Sequence, residues 1–175
     1  MTTPKRLAYS GSKWRKVGFS GNSIDVGGAM FRGLAKLNLD NKGRLVMPAK
    51  HRAALPSGSE GRVVVTLDRA GCLAMYPLPE WALVEAQFAR VGMDPKVVAL
   101  KRLVIGHAEE LDIDGAGRVL LPPVLRDIAK LDKTVMLVGQ GNKLEVWAET
   151  EWAAERDRTL TLPVSDWPAD MNFVL

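Results

Sequence analysis

A mainly β protein with short helices, built from two tandem copies of one unit, is the fold the sequence predicts. Three observations carry this. First, Leu39-Asp40-Asn41-Lys42-Gly43-Arg44-Leu45-Val46-Met47-Pro48 returns as Ile113-Asp114-Gly115-Ala116-Gly117-Arg118-Val119-Leu120-Leu121-Pro122, with Asp, Gly, Arg and Pro each 74 residues apart; Arg52 and Arg126 keep the same spacing. A match at fixed period decides the architecture. Second, each copy reads as an apolar strand, a tight turn, a second strand and a proline-started helix. Third, a hairpin follows in both: Val63–Leu67 with Leu73–Tyr76, and Val135–Val138 with Leu144–Trp147, each followed by a tryptophan, Trp81 or Trp152. There the spacing is 71, so the second copy has lost three residues between its helix and its later hairpin. Each unit is strand–turn–strand–helix–hairpin–helix.

In chain order, residues 1–29 are rich in Gly, Ser and Lys and are expected to form a flexible basic extension. Met30 opens the first periodic segment and is a candidate start. A superfluous or disordered arm is favoured over a functional one, whose alternative use is contact with a DNA backbone. The first repeat and its connecting helices occupy 30–106. Gly33 to Leu39 alternates as a half-buried strand. The turn at 40–43 uses an Asp that can bond nearby backbone N–H groups and a Gly free to take positive φ. A short strand from Arg44 to Met47 leads to a helix from Pro48 to Leu55, with Pro48 in its first turn. Residues 62–68 and 72–76 form the hairpin. Trp81, Val84, Phe88 and Val91 mark a helix from Pro79 to Val91. Asp94-Pro95 caps another, reaching about Ile105, whose apolar face is broad for a surface helix; it is expected to fill the seam between the halves, with a second subunit as the alternative. The second repeat spans 107–158 and ends in a helix with a Glu/Arg-rich outer face. Residues 159–175 form a tail.

The chain of 175 residues is long enough for a sizeable core. No apolar run approaches a membrane span, and the first thirty residues lack the apolar centre of a secretory signal. A single cysteine, Cys72, fits a reducing cytosol and not a disulfide framework. The net charge of +4 resides entirely in residues 1–29, which hold five bases and one acid; the remainder holds 19 of each. Within that neutral remainder the copies differ. Residues 30–52 hold six bases against Asp40, a net of +5, while 107–126 hold four acids against two arginines, a net of −2. If phosphates are bound, the first copy binds them.

An Asp facing an Arg four residues on can be a plain ion pair that fixes a hairpin, and this reading is adopted for Asp114 and Arg118. In the first copy Lys42 and its basic neighbours favour ligand contact, since arginine's planar fork grips a phosphate or the acceptor edge of guanine. His51 and His107 stand apart from any metal-ligand spacing, and no nucleophile–base pair, P-loop or dinucleotide fingerprint is present. Glu109 and Glu110, read as preceding a strand, are expected to be solvated charge. Tyr76, Trp81, Trp147 and Trp152 are expected in the core, and Cys72 is expected to be inert.

From Met30-Phe31-Arg32-Gly33 to about Trp152, with the doubled Asp-x-x-x-Arg motif and its Gly-Arg-x-x-x-Pro continuations, the chain resembles the MraZ family of bacterial transcriptional regulators. The resemblance implies an AbrB-like swapped-hairpin double-split barrel, the two repeats forming a pseudo-dimer within one chain. It implies a ring-shaped homo-oligomer that binds short G-rich direct repeats in the promoter of a division and cell-wall gene cluster. It places DNA contact on the first Asp-x-x-x-Arg copy. The expected DNA-binding residues are Arg44, Lys42, Gly43, Asn41 and Asp40, with Arg32 and Lys36 in second rank; Gly43 lets the backbone approach and Asp40 orients Arg44. Lys50 and Arg52 add phosphate contacts or sit in solvent. A cytoplasmic, nucleoid-associated, non-enzymatic regulator is expected, with no cofactor, metal, membrane or small-molecule substrate. The alternative is an antitoxin-like interaction module without specific DNA recognition.

Overall fold

The computed structural model describes residues 7–10, 13–16, 30–92 and 94–163. Within 1–29 it contains one two-stranded hairpin, β1 (Leu7–Ser10) and β2 (Lys13–Lys16); otherwise the expected extension lies outside the described residues. The first copy then supplies β3 (Leu34–Asn38), β4 (Arg44–Val46), α1 (Ala49–Ala53), a 3-10 turn at Ser57–Ser59, the hairpin β5 (Arg62–Leu67) and β6 (Leu73–Pro77), α2 (Leu78–Arg90) and α3 (Pro95–Val104). The second supplies β7 (Glu109–Asp112), β8 (Arg118–Leu120), α4 (Pro123–Ile128), β9 (Thr134–Gly139), β10 (Leu144–Ala148) and α5 (Glu149–Leu160). No helix among the described residues is long and apolar enough to cross a membrane.

The sheet runs in the order β3-β9-β10-β6-β5-β7, all antiparallel. The copies exchange strands: β3 pairs with the hairpin of the second copy and β7 with the hairpin of the first. The registers are equivalent, Ala35 opposite Leu137 and Glu109 opposite Val65. Two further pairings lie on the pseudo-twofold axis. β4 meets β8 with Leu45 opposite Val119, and β6 meets β10 with Ala74 opposite Glu145. This is the swapped-hairpin architecture, formed within one chain. Its core is shared. Leu45, Met47, Val119 and Leu121 of the central ribbon are fully buried against Val65, Leu73, Val135, Leu137 and Val146 of the sheet.

The three-residue shortening of the second copy falls differently from the expectation. Val135 follows Val63 by 72 residues, so two residues are lost before the hairpin, where the first copy inserts its 3-10 turn. The third is lost inside the hairpin: Leu67 pairs with Leu73, but Gly139 pairs with Leu144. The helices also start later than expected. Pro48 and Pro122 cap α1 and α4 from outside, with ψ of 142° and 139°. Pro123 forces the extended ψ on Pro122, because the residue before proline is kept out of the helical region. Glu109 and Glu110 open β7 rather than precede it, and Glu110 is ion-paired with Arg62. The final helix runs to Leu160, two residues into the expected tail; 164–175 lie outside the described residues.

No described residue of α3 is fully buried. Val97, Val98, Leu100, Leu103 and Val104 are half-covered, so the expected filling of the seam is only partial. Thr66 Oγ1 donates to Val104 O at 2.5 Å and ties the helix end to the sheet.

Candidate nucleic-acid interface

The first turn is built by one carboxylate. Asp40 Oδ1 accepts from the backbone N–H of Lys42 at 2.9 Å and of Arg44 at 3.0 Å. Asp40 Oδ2 accepts from Arg44 Nε at 2.6 Å. The hairpin closes through Gly43 N–H to Asp40 O and Asp40 N–H to Arg44 O. Gly43 takes φ of +79°, which permits so tight a return. The donated backbone bond from Arg44, with the guanidinium beside it, holds the Asp40 carboxyl down to about 2. The cage therefore stays charged at any working pH. Arg44 is gripped at Nε alone; its two terminal nitrogens have no acceptor among the described residues, and neither has Lys42 Nζ.

The second turn repeats the cage. Asp114 accepts from Ala116 N–H and Arg118 N–H, both at 2.9 Å, and from Arg118 Nε at 2.7 Å. Its carboxyl is likewise held below the usual range, chiefly by the Arg118 backbone bond. The cage is thus common to both copies, and what differs is what surrounds it. At 74-residue spacing Arg32, Lys36, Asn41, Lys42 and Lys50 are replaced by Gly106, Glu110, Gly115, Ala116 and Val124.

The turns lie at opposite ends of the antiparallel central ribbon. Its outer face carries Arg44 beside Leu120 and Val46 beside Arg118, with Val46 and Leu120 about half-exposed. Two backbone bonds lock the copies, Leu121 N–H to Gly43 O at 3.1 Å and Met47 N–H to Gly117 O at 2.9 Å. Arg126 Nε donates to Leu121 O and Arg52 Nη1 to Met47 O, each at 3.1 Å. Each arginine lies over the glycine of the opposite copy. A Cβ on Gly43 would stand 2.6 Å from Arg126 Cζ, and one on Gly117 would stand 1.7 Å from Arg52 Nη1.

Two expectations change here. Gly43 is buried and does not offer its backbone to a ligand, because the Arg126 guanidinium covers it. Arg52 belongs to the acidic turn, not to the basic one. The constant spacing of Arg52 and Arg126, beside that of the paired glycines, is the sequence signal for these two crossed contacts.

Asp40, Asn41, Lys42 and Arg44 are brought together at the turn. Arg32 and Lys36 are not. At about 3.3 Å per residue, Lys36 lies roughly 13 Å along the strand from Asp40, and Arg32 precedes β3, beyond Gly33. Lys36 Nζ is 2.5 Å from Glu149 Oε1. Lys50 Nζ lies 3.5 Å from Arg32 O.

Elsewhere the polar groups serve the fold. Lys143 bridges Asp68 at 2.7 Å and Glu145 at 2.9 Å, and Trp147 Nε1 donates to Glu145 at 3.0 Å. Trp147 packs edge-on against Trp152, and Tyr76 lies tilted against Trp81, the ring centroids of each pair 5.8 Å apart. Cys72 is fully buried, and burial raises its thiol pKa far out of the reactive range. No group of three His, Cys, Asp or Glu among the described residues is placed to hold a metal.

The sequence is similar to that of known proteins. A family model described as "MraZ protein, putative antitoxin-like" matches residues 30–101 and 104–171. A transcriptional regulator MraZ of Thioalkalivibrio sulfidiphilus is 57% identical over 129 residues, covering 73% of this chain and 86% of the relative. Its namesake in Thiobacillus denitrificans is 48% identical over 144 residues, covering 82% and 97%, and that of Halorhodospira halophila is 53% identical over 129, covering 73% and 85%.

Proposed function

The chain belongs to the MraZ family, and from that membership we propose that it is a sequence-specific DNA-binding regulator of transcription. Its relatives carry the name transcriptional regulator. The observation that carries the assignment to the first turn is the one-sided grip on Arg44: Asp40 holds Nε and leaves the outer fork open, next to Lys42, in a stretch of net charge +5. A fork fixed at its base loses little freedom on binding, and it matches a guanine edge or a phosphate. In this reading Arg44 reads a base edge or grips a phosphate, Lys42 takes phosphate, and Asp40 orients Arg44. Asn41 stands at the tip, and Arg32 and Lys36 follow in second rank.

The same reading has the protein act in the cytoplasm, at the nucleoid, on short G-rich direct repeats upstream of a division and cell-wall gene cluster. A ring of subunits presents the turn to successive repeats, and linkage multiplies weak single contacts through effective concentration.

Fluorescence anisotropy on the upstream promoter and on a scrambled duplex, across a salt series, is the test. Preference for the promoter is expected, and Arg44→Ala is expected to weaken it by about tenfold or more. Unchanged binding in that variant removes the assignment. Equal, steeply salt-dependent binding to both duplexes favours the second reading, an antitoxin-like interaction module. The half-covered apolar face of α3 is the observation on that side.

A further inference from the structure

We infer that Arg126, on α4 of the second copy, belongs to the DNA-binding surface of the first, where it takes a backbone phosphate. The inference rests on the reading above and adds a residue from the copy with the acidic surroundings. Gly43 is the centre of the basic turn, yet its backbone is not presented outward: its carbonyl accepts from Leu121 N–H, and the Arg126 guanidinium lies on it. Arg126, which is half-buried, therefore lies against the residue that joins Lys42 to Arg44.

Arg126 Nε is anchored on Leu121 O, and its terminal nitrogens have no acceptor among the described residues. Arg126 thus brings a third cationic side chain to the turn that carries Lys42 and Arg44, against the glycine that separates them in the chain, where Asp40 is the carboxylate bonded to the turn. Like charges so gathered repel, and a phosphate relieves the repulsion while meeting donors already fixed in direction. The mirror contact supplies an internal control. Arg52 lies over Gly117 by the same kind of anchoring, but Ala116 stands there in place of a lysine and the surrounding segment is acidic.

Promoter and scrambled-duplex binding across a salt series separates the alternatives, using Arg126→Gln, Arg52→Gln, Arg126→Lys and, as reference, Arg44→Ala. Arg126→Gln is expected to weaken both duplexes by about tenfold and to lower the salt slope by about one, the signature of a lost phosphate contact. Arg126→Lys keeps the charge and restores the slope. Arg52→Gln stays within about twofold at unchanged slope. The inference is overturned if Arg126→Gln matches the wild type, if it weakens binding without lowering the slope, or if Arg52→Gln does the same as Arg126→Gln. Should Arg126→Gln not fold, Arg126→Met, which keeps the aliphatic stem over Gly43, takes its place. If Arg44→Ala is also silent, the DNA reading has failed. If Arg44→Ala alone weakens binding, only the role of Arg126 has failed.

Discussion

The two Asp-x-x-x-Arg turns are nearly the same object in two settings. Asp40 and Asp114 make the same three bonds at matching lengths, and each turn is closed by a glycine beneath an arginine from the other copy. The motif by itself is therefore a folding device. It fixes a hairpin and docks it on its twin. What separates the turns is the replacement of Lys42, Lys36 and Lys50 by Ala116, Glu110 and Val124. Finding the motif identifies the architecture, while the residues between and around it decide which copy can hold a polyanion.

The largest expected effect tests whether the copies are one body. Leu45 is fully buried opposite Val119 on the pseudo-twofold axis. Leu45→Ala is expected to cost about 2–5 kcal/mol, the range for emptying a packed core site. Because the copies share strands and core, thermal unfolding should remain a single transition at a lower midpoint. Two separated transitions would mean that the repeats fold independently and that the comparison concerns two domains.

Next comes a transfer of charge. The double variant Lys42→Ala/Ala116→Lys keeps the net charge and both cages but moves the lysine to the other turn. Promoter affinity is expected to fall by about tenfold in the anisotropy assay. Full recovery of wild-type affinity would show that total charge, not its place on the first copy, governs binding.

Much of this was legible before any coordinates. The two units, their hairpins, the cages and the asymmetry of charge follow from spacing, turn chemistry and counting. Periodicity reports which face of a strand is apolar, but it is silent on the strand's partner. That β3 pairs with β9, about a hundred residues on, was implied only by the family resemblance. The same limit hid Arg126. A contact in trans between an arginine and a glycine leaves no local pattern, and Gly43, sufficiently explained by its positive φ, gave no hint that it was also covered. The apolar face of α3 predicted burial, yet the structure covers it only by half, since hydrophobic spacing does not say how much neighbouring surface is available.

A smaller effect distinguishes the cores of the copies. His51 and Leu125 are equivalent and both buried, but His51 Nε2 has no partner. Its ring lies edge-on to Phe31 at 5.8 Å. Burial lowers its pKa, with Lys50 adding to the shift. Below its ordinary value of about 6.5 the unfolded chain takes up this proton more readily than the folded chain, so stability declines as the pH falls from there. His51→Leu, which makes the first copy like the second, is expected to raise stability by about 1 kcal/mol at neutral pH by removing an unsatisfied buried atom. It should also flatten the pH dependence below 6.5. Denaturant midpoints measured between pH 5 and 8 check both points; an unchanged slope with pH would mean that His51 reaches solvent and titrates normally.

The smallest effect concerns where the binding surface of the first copy ends. Lys36 and its counterpart Glu110 both sit in the middle of an edge strand and both pair with an opposite charge from elsewhere, Glu149 for the lysine and Arg62 for the glutamate. The Lys36–Glu149 pair is exposed, with 61% and 48% of the two side chains open to solvent, and such pairs contribute roughly 0–1 kcal/mol. Lys36→Gln should therefore move the denaturant midpoint little. Its effect on DNA is the informative one. The lysine is already neutralised by Glu149 and lies roughly 13 Å along the strand from Asp40, so promoter affinity is expected to fall by no more than about twofold. A loss as large as that from the moved lysine would extend the DNA footprint along β3, because Lys36 would then have to exchange Glu149 for a phosphate on binding. In that case Glu149→Gln, which frees the lysine in advance, should tighten binding; if the footprint stops at the turn, the same substitution leaves affinity unchanged.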